Sequence, residues 1–167
     1  MSTHSLLRIQ LIAAMTAGAL LTTACGGGGT NIPSAVGSGG TGFVSGVITK
    51  GPVSNASVTA YSISTGQMGA AIGSTMTDAN GNFSMGIGSY AGPVMLQVSG
   101  GSYKDEATGT TMSMALGDVM TAIMPAVAAN INTAGIQVTP VTGMAQVLAQ
   151  SMTGGMTDAN IASANAA

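Results

Sequence analysis

The sequence predicts a mainly β chain: an antiparallel two-sheet sandwich followed by the start of a helical region. Three observations indicate this. Short β-prone runs recur between residues 43 and 114, and turn-forming residues separate them at regular intervals. From residue 139 onward the apolar residues follow a helical spacing instead.

The first 24 residues have the order of an export signal. Arg8 is the one fixed cation, an uncharged and mostly apolar run covers residues 11–21, and the small residues Thr22-Thr23-Ala24 follow. The apolar run is shorter than the roughly 20 residues that a membrane-spanning helix needs. We therefore expect residues 1–24 to be a signal peptide.

Residues Leu21-Thr22-Thr23-Ala24-Cys25 resemble the bacterial lipobox, in which small residues precede a cysteine that is lipidated after cleavage. The chain departs from the usual pattern at Thr22, where the family has Leu. The resemblance implies that Cys25 carries the lipid and that Gly26 directs the lipoprotein to the outer membrane. Cys25 is the only cysteine, so it cannot form an internal disulfide. An ordinary signal peptide with an incidental Cys25 is the alternative.

The segment 25–42 is rich in Gly, Ser and Thr and has no apolar period, which predicts a flexible tether. Its ends would lie roughly 20–25 Å apart on average. Beyond residue 24, two lysines face five carboxylates, a net side-chain charge of −3. This balance argues against nucleic acid as a partner and against electrostatic docking on anionic lipid.

A sandwich domain is predicted over residues 43–116. Its expected strands are 43–48, 57–63, 72–77, 82–87, 94–99 and 110–114. Turn signals between them are Gly51-Pro52, Ser64-Thr65-Gly66, Asp78-Ala79-Asn80-Gly81, Gly92-Pro93 and Gly100-Gly101. Asn80-Gly81 favours a type I′ hairpin turn, which needs positive φ at both central residues.

Three segments, 46–48, 51–61 and 77–84, resemble carboxypeptidase-regulatory-like domains, which are transthyretin-like β-sandwiches found in bacterial surface lipoproteins. The match covers roughly residues 43–114. Immunoglobulin-like and collagen-adhesin B-type modules share the same turn pattern. The resemblance implies an antiparallel immunoglobulin-like or transthyretin-like sandwich, and an accessory module without peptidase chemistry.

Beyond the sandwich we expect an Ala-rich connection over residues 117–138, with a short strand at 136–138, and a helical segment over residues 139–167. Thr139-Pro140 is a helix start, and Gly154-Gly155 ends that helix. Thr157 and Asp158 begin a second helix. One apolar face of the first helix is predicted to contain Val141, Met144, Ala145, Leu148 and Met152. We also expect the natural chain to continue past Ala167.

The sequence offers little catalytic chemistry. Its only histidine, His4, lies in the predicted signal, so no Ser-His pair, Cys-His pair or His metal site is expected after cleavage. Asp105 and Glu106 would point to opposite faces of a strand and are expected to be solvated. The residue counts do not exclude a Ser–Lys dyad that uses Lys50 or Lys104.

Two patterns could bind metals. Asp78, Asn80 and Asn82 alternate as in a calcium loop, but Gly81 is misplaced and no Glu occupies the twelfth position, so a hairpin turn is favoured. Four clustered methionines could offer thioethers to Cu(I), but core packing is favoured for them. They are Met112, Met114, Met120 and Met124. No metal or cofactor is predicted.

The sequence therefore predicts a non-catalytic, lipid-anchored surface or periplasmic lipoprotein that acts as a binding, spacer or scaffold module. One alternative is an accessory sandwich of an exported enzyme with a catalytic domain after residue 167. Another alternative is an adhesin-type module. A protein partner would be expected to pair with a strand edge, because aromatic residues for sugar stacking are few.

Overall fold

The structure is a computed structural model that describes residues 42–115 and 117–167. Within these ranges it has nine strands and two helices. They are β1 Gly42–Ile48, β2 Ser57–Ser64, β3 Gln67–Met76, β4 Asn82–Gly88, β5 Gly92–Ser99, β6 Ser102–Lys104, β7 Thr111–Ser113, β8 Val119–Val127, β9 Thr133–Val138, α1 Pro140–Ser151 and α2 Asp158–Asn165. The predicted fold class, a mainly β sandwich followed by helices, is confirmed.

The strands form two sheets and a small hairpin. A three-stranded sheet has the order β4-β1-β9, and a four-stranded sheet has the order β3-β2-β5-β8. All neighbours are antiparallel except β1 and β9, which run parallel. Strands β6 and β7 pair with each other, and Ser102 of β6 also forms an isolated bridge with Ser54. The sixth predicted strand, 110–114, is therefore only three residues long and belongs to neither large sheet.

The main core lies between the two sheets. Successive strand residues point to opposite faces, so alternate residues of each strand meet there. In β5 these are Val94, Leu96 and Val98, and in β8 they are Met120, Ala122 and Met124. Val44 and Ile48 of β1 face them from the three-stranded sheet. The core joins residues whose strands are far apart in sequence, as a sandwich requires.

The opposite face of the four-stranded sheet is covered by the two helices. Met95 of β5 and Ile123 of β8 point to this side and pack with Ile161 of α2. Ile63, Ala149, Met156 and Ala164 are the other buried residues of this second cluster. The molecule thus has three layers: a three-stranded sheet, a four-stranded sheet and a helical layer.

The prediction of a connection over residues 117–138 is wrong. This segment contributes β8 to the four-stranded sheet and β9 to the three-stranded sheet, so the sandwich extends to Val138. The sequence did not predict β8 because the segment contains alanines and Pro125, and both residue types are depleted in strands. Pro125 is tolerated because it lies on an edge strand, at the point between Met124 and Val127 where the register of β8 with β5 shifts.

The spacing of four between Met120 and Met124 would fit one face of a helix, but the structure places both residues on a strand. Both lie on strand β8, where a spacing of four also returns to the same face. Met114, Met120 and Met124 are buried in the main core, whereas Met112 is 46% exposed. The side chains of this cluster therefore divide between core and surface.

The type I′ turn occurs at Thr65-Gly66 and not at the predicted Asn80-Gly81. Thr65 and Gly66 have φ of +51° and +74° and join the paired strands β2 and β3. In the other turn Gly81 has positive φ but Asn80 does not, and the flanking strands β3 and β4 belong to different sheets. The turn at Asn80-Gly81 is a crossing between layers and not a hairpin.

Both predicted helix starts are confirmed. The Thr139 hydroxyl accepts from the Thr142 N–H at 3.2 Å, the Thr142 hydroxyl accepts from the Thr139 N–H at 2.9 Å, and Pro140 occupies the first turn. Thr157 caps α2 by accepting from the Asn160 N–H. The carboxylate of Asp158 accepts from the Ala126 N–H at 3.0 Å, which ties α2 to β8.

Within the described ranges, Thr77 is the one polar residue that is buried. Its hydrogen bonds fix the segment before β2. Its hydroxyl donates to the Val53 carbonyl at 2.7 Å and accepts from the Ala56 N–H at 2.9 Å. Buried backbone groups need such partners, because burial without one costs free energy. A single hydroxyl therefore satisfies two backbone groups of this segment.

We predict that Thr77→Val, which keeps the shape of the side chain, lowers the free energy of unfolding by about 1–3 kcal/mol. The change leaves the Val53 carbonyl and the Ala56 N–H without this partner. Urea denaturation followed by circular dichroism measures the effect. Thr59→Val, at a half-buried strand position of β2, is the control. Equal stability of wild type and Thr77→Val would contradict the role of this hydroxyl.

We predict that Thr65→Asn raises the free energy of unfolding by about 1 kcal/mol, because a β-branched residue is strained at positive φ and Asn is not. Thermal denaturation measures the change. Thr65→Val is the control: it keeps the branching, loses the same hydroxyl and should give no gain. If both variants shift the midpoint equally, backbone strain at Thr65 is not the cause.

Candidate functional site

The predicted lipidation site, Cys25, lies outside the described residues, as do the signal segment 1–24 and residues 25–41 of the tether. The structure therefore bears on the part of the chain that follows the tether.

The exposed face of α1 is the most distinctive surface of the described region. Four large apolar side chains point away from the protein there: Val141 (71% exposed), Met144 (70%), Val147 (64%) and Leu148 (39%). We call these four residues the α1 face. Isolated exposed apolar residues are common, but a contiguous group of this kind is typical of an interaction surface.

Small residues explain why α1 turns its large side chains outward. Ala149 is fully buried and Ala145 packs against the second cluster, so the helix axis lies close to the four-stranded sheet. Gly143 also lies on this side, since a Cβ there would be 3.4 Å from the Thr121 hydroxyl. The Thr142 hydroxyl donates to the Thr121 carbonyl at 2.7 Å and fixes the rotation of the helix.

The predicted apolar face of α1 is therefore only partly right. Its five residues do not share one environment: Ala145 packs inward, Met152 is half-buried, and the other three are exposed. Val147 was not predicted as part of the face. Val147 could have been included because it is next to Leu148 in the sequence. The helix also has apolar residues on most of its circumference.

Two apolar grooves flank the α1 face. One has a volume of about 640 Å³ and includes Val119, Met144 and Val147. The other has a volume of about 550 Å³ and lies between α1 and the end of α2, with Val141, Leu148 and Ala164 in its walls. Val119 of β8 is itself 52% exposed. The α1 face and its grooves form one continuous apolar surface.

The α1 face itself carries no formal charge, and Lys50 and Asp118 lie at its border, where they line a pocket with Val119, Pro140 and Gly143. No Asp, Glu, Lys or Arg occurs between Asp118 and Asp158, a stretch that includes β8, β9 and α1. Asp158, at the end of that stretch, accepts a hydrogen bond from the Ala126 N–H. A partner for this surface would thus be recognised by apolar contact and shape, and not by ion pairing.

The residues of the calcium-like pattern form hydrogen bonds with one another. One Asp78 oxygen accepts from the backbone N–H groups of Asn80 and Asn82, both at 2.8 Å, and the other accepts from the Asn82 side-chain amide at 2.9 Å. These bonds, the Asn82 side-chain bond foremost, lower the pKa of Asp78 from its ordinary value of 3.8. The arrangement is that of a carboxylate-capped turn.

The second acidic loop is built in the same way. Asp105 accepts from the Thr108 hydroxyl and N–H, both at 2.8 Å, and these bonds lower the pKa of Asp105. Glu106 is exposed, as predicted. Lys50, one candidate for a Ser–Lys dyad, instead lies over the Tyr103 ring with its Nζ 5.1 Å from the ring centroid.

Strand β3 offers an edge of the four-stranded sheet, the surface on which strand pairing was expected. Met68 and Met76 are more than half exposed there. At Gly73 strand β4 packs closely on the face of β3, because a Cβ there would lie 2.4 Å from the Gly86 carbonyl of β4.

Within the described ranges, no helix combines the length and the hydropathy that a membrane crossing requires. The fold and the site thus define a class: a two-sheet sandwich with a helical layer and an uncharged apolar face on its first helix.

No protein-family model matches the chain, and no curated protein matches it. Among solved structures, it is similar to part of a 9R-lipoxygenase from Cyanothece PCC8801, with 16% sequence identity and a TM-score of 0.34. The match covers 59% of this chain and 16% of the lipoxygenase. A likeness at this level assigns neither fold nor activity.

We predict that Asp78→Ala lowers the melting temperature at pH 6 and that the loss shrinks as the pH falls below about 4. The Asp78 pKa is lowered in the folded state, so its stabilising effect is complete above the unfolded pKa and disappears as pH falls through the folded pKa. Thermal denaturation from pH 6 to pH 2 measures this. Asn80→Ala, a change in the same turn without a titrating group, should give a loss that does not vary with pH.

Proposed function

We propose that this chain is a non-catalytic lipoprotein, anchored to the outer membrane through Cys25, and that its sandwich is a binding module. The residues Leu21–Cys25 and the preceding apolar run support the anchor. The uncharged α1 face, held on a two-sheet sandwich, is the observation that carries the binding role.

The α1 face supports a binding role because of the way it is held. A helix of 12 residues is marginal alone in water, so α1 depends on its packing against the sheet and α2. That packing uses small residues such as Ala149 and leaves Met144 and Val147 in solvent. Folding itself gains little from these large exposed side chains, and their contribution would come on contact with a partner.

We further propose that the sandwich is of the carboxypeptidase-regulatory-like, transthyretin-like type. The residues at 46–48, 51–61 and 77–84 support this, and they lie in β1, in β2 with the segment before it, and in the crossing to β4. In such an accessory module the sandwich supplies a rigid support. The side chains of the sandwich would then contact and position a partner.

We predict that Cys25→Ala releases the protein from membranes while the sandwich stays folded, because the lipid is the only strong anchor proposed. Expression of the full chain in a Gram-negative host, followed by salt and carbonate washes, measures the membrane-bound fraction. Ser34→Ala, a small change in the tether, is the control and should remain bound.

Circular dichroism of the released variant tests whether the sandwich is intact. If Cys25→Ala stays in the washed membrane fraction, lipidation at this residue is not the anchor. Mass spectrometry of the wild-type N-terminus provides the direct check, since acylation of Cys25 adds a defined mass.

A further inference from the structure

We propose that the α1 face lies against the lipid bilayer to which the chain is anchored, with Val141, Met144, Val147 and Leu148 inserted among the headgroups. This inference rests on the proposed function, because it requires attachment at Cys25. It goes further by naming the occupant of the exposed face. A bilayer surface is favoured by the charge, the size and the reach of this part of the molecule.

The absence of charge favours a lipid surface over a charged partner. The α1 helix and the strands beside it belong to the stretch between Asp118 and Asp158 that lacks charged residues. The Gln146 amide donates to the Gln150 side-chain oxygen at 2.7 Å, so these two polar groups partly satisfy each other. Placing this helix at an interface would therefore bury no ion, the costly step for most helices.

The size of the face also favours a bilayer. Helix α1 has 12 residues and is about 18 Å long, and beyond the helix its apolar surface extends to Val119 on one side and to Ala164 on the other. A stable protein–protein interface uses about 20–30 residues on each side. A bilayer sets no such requirement, since each apolar side chain that enters the interface contributes separately.

The tether is long enough for this contact. Residues 25–41 are 17 residues long and can reach at most about 55–60 Å. Strand β1, where the tether joins, belongs to the three-stranded sheet, and α1 lies in the layer on the far side of the four-stranded sheet. With layers about 10 Å apart, the α1 face lies roughly 20 Å from β1.

Anchoring would also make a weak contact effective. A link of 17 residues holds the α1 face near the membrane at a high local concentration, so modest insertion energy is sufficient. The chain has a net side-chain charge of −3 beyond residue 24, and therefore contact with the bilayer should not depend on anionic lipid. Phosphatidylcholine vesicles are accordingly the appropriate probe.

The experiment places one new thiol on the lipidated protein. Cys25 is the only cysteine and its sulfur is consumed by lipidation, so an introduced cysteine can be labelled alone with an environment-sensitive fluorophore. The labelled positions are Leu148→Cys on the α1 face and, as matched control, Ser84→Cys on exposed surface of β4. Each protein is reconstituted into phosphatidylcholine vesicles with and without nitroxide-labelled acyl chains.

We expect nitroxide lipid to quench the label at position 148 and to leave the label at position 84 unquenched. Aqueous iodide should show the opposite preference. Val147→Glu in the Leu148→Cys protein should abolish the lipid quenching without changing the melting temperature, since position 147 is mostly exposed. Equal iodide access at both positions, with no lipid quenching, would overturn the inference.

A second copy or another protein on the α1 face would give a different outcome. The label at position 148 would be shielded from iodide but would not respond to nitroxide lipid, and this result also overturns the inference. Vesicle flotation separates the two proposals. Protein that floats without lipid quenching refutes only the contact of the α1 face, whereas protein that fails to float refutes the lipid anchor.

Discussion

The architecture depends on burial of both faces of the four-stranded sheet. In β5, Val94, Leu96 and Val98 face the other sheet, and Met95 faces the helices. A sheet with one solvated face shows alternating apolar and polar residues, whereas two-sided burial gives a continuous apolar run. The run Val94-Met95-Leu96 is of the second kind, so β5 requires a layer on each side.

The helical layer meets this requirement without ion pairs to the sheet. Asp158 binds the Ala126 N–H, the Asn165 amide donates to the Ile123 carbonyl at 3.1 Å, and the Met156 N–H donates to the Gly66 carbonyl at 2.8 Å. These three contacts connect α2 and the loop before it to β8 and to the β2–β3 turn. Directional hydrogen bonds set the position of the layer, and small apolar residues set its distance from the sheet.

The β2–β3 turn links local conformation to this packing. Gly66 needs its positive φ for the hairpin, and it also lies so close to the Gly154 carbonyl that no side chain would fit. Thr65 also has a positive φ, which is unfavourable for a residue with a β-branched side chain. The turn therefore serves the hairpin and the helical layer together, and its sequence is fixed by both.

The sequence was sufficient where one residue determines local geometry. Thr139 and Thr157 predicted both helix starts because capping depends on a side chain that binds its own neighbouring backbone. The strands with clear turn residues were predicted for the same reason. Strand β8 was missed because its identity comes from pairing with β5, and Pro125 argues against a strand unless the edge position is known.

The exposed face of α1 could not be predicted because apolar spacing does not say which side of a helix is covered. Ala145 and Ala149 contact the sheet, while Met144 and Val147 point outward, so apolar residues occur on both sides of this helix. A helix that is apolar on most of its circumference is normally buried on most of it. Strand β5 is also apolar on both sides, and the structure covers both of its faces. Helix α1 is covered on one side only, by the four-stranded sheet. A second covering of α1 would have to come from outside the described part of the chain, and the uncharged residues of the α1 face favour an apolar one.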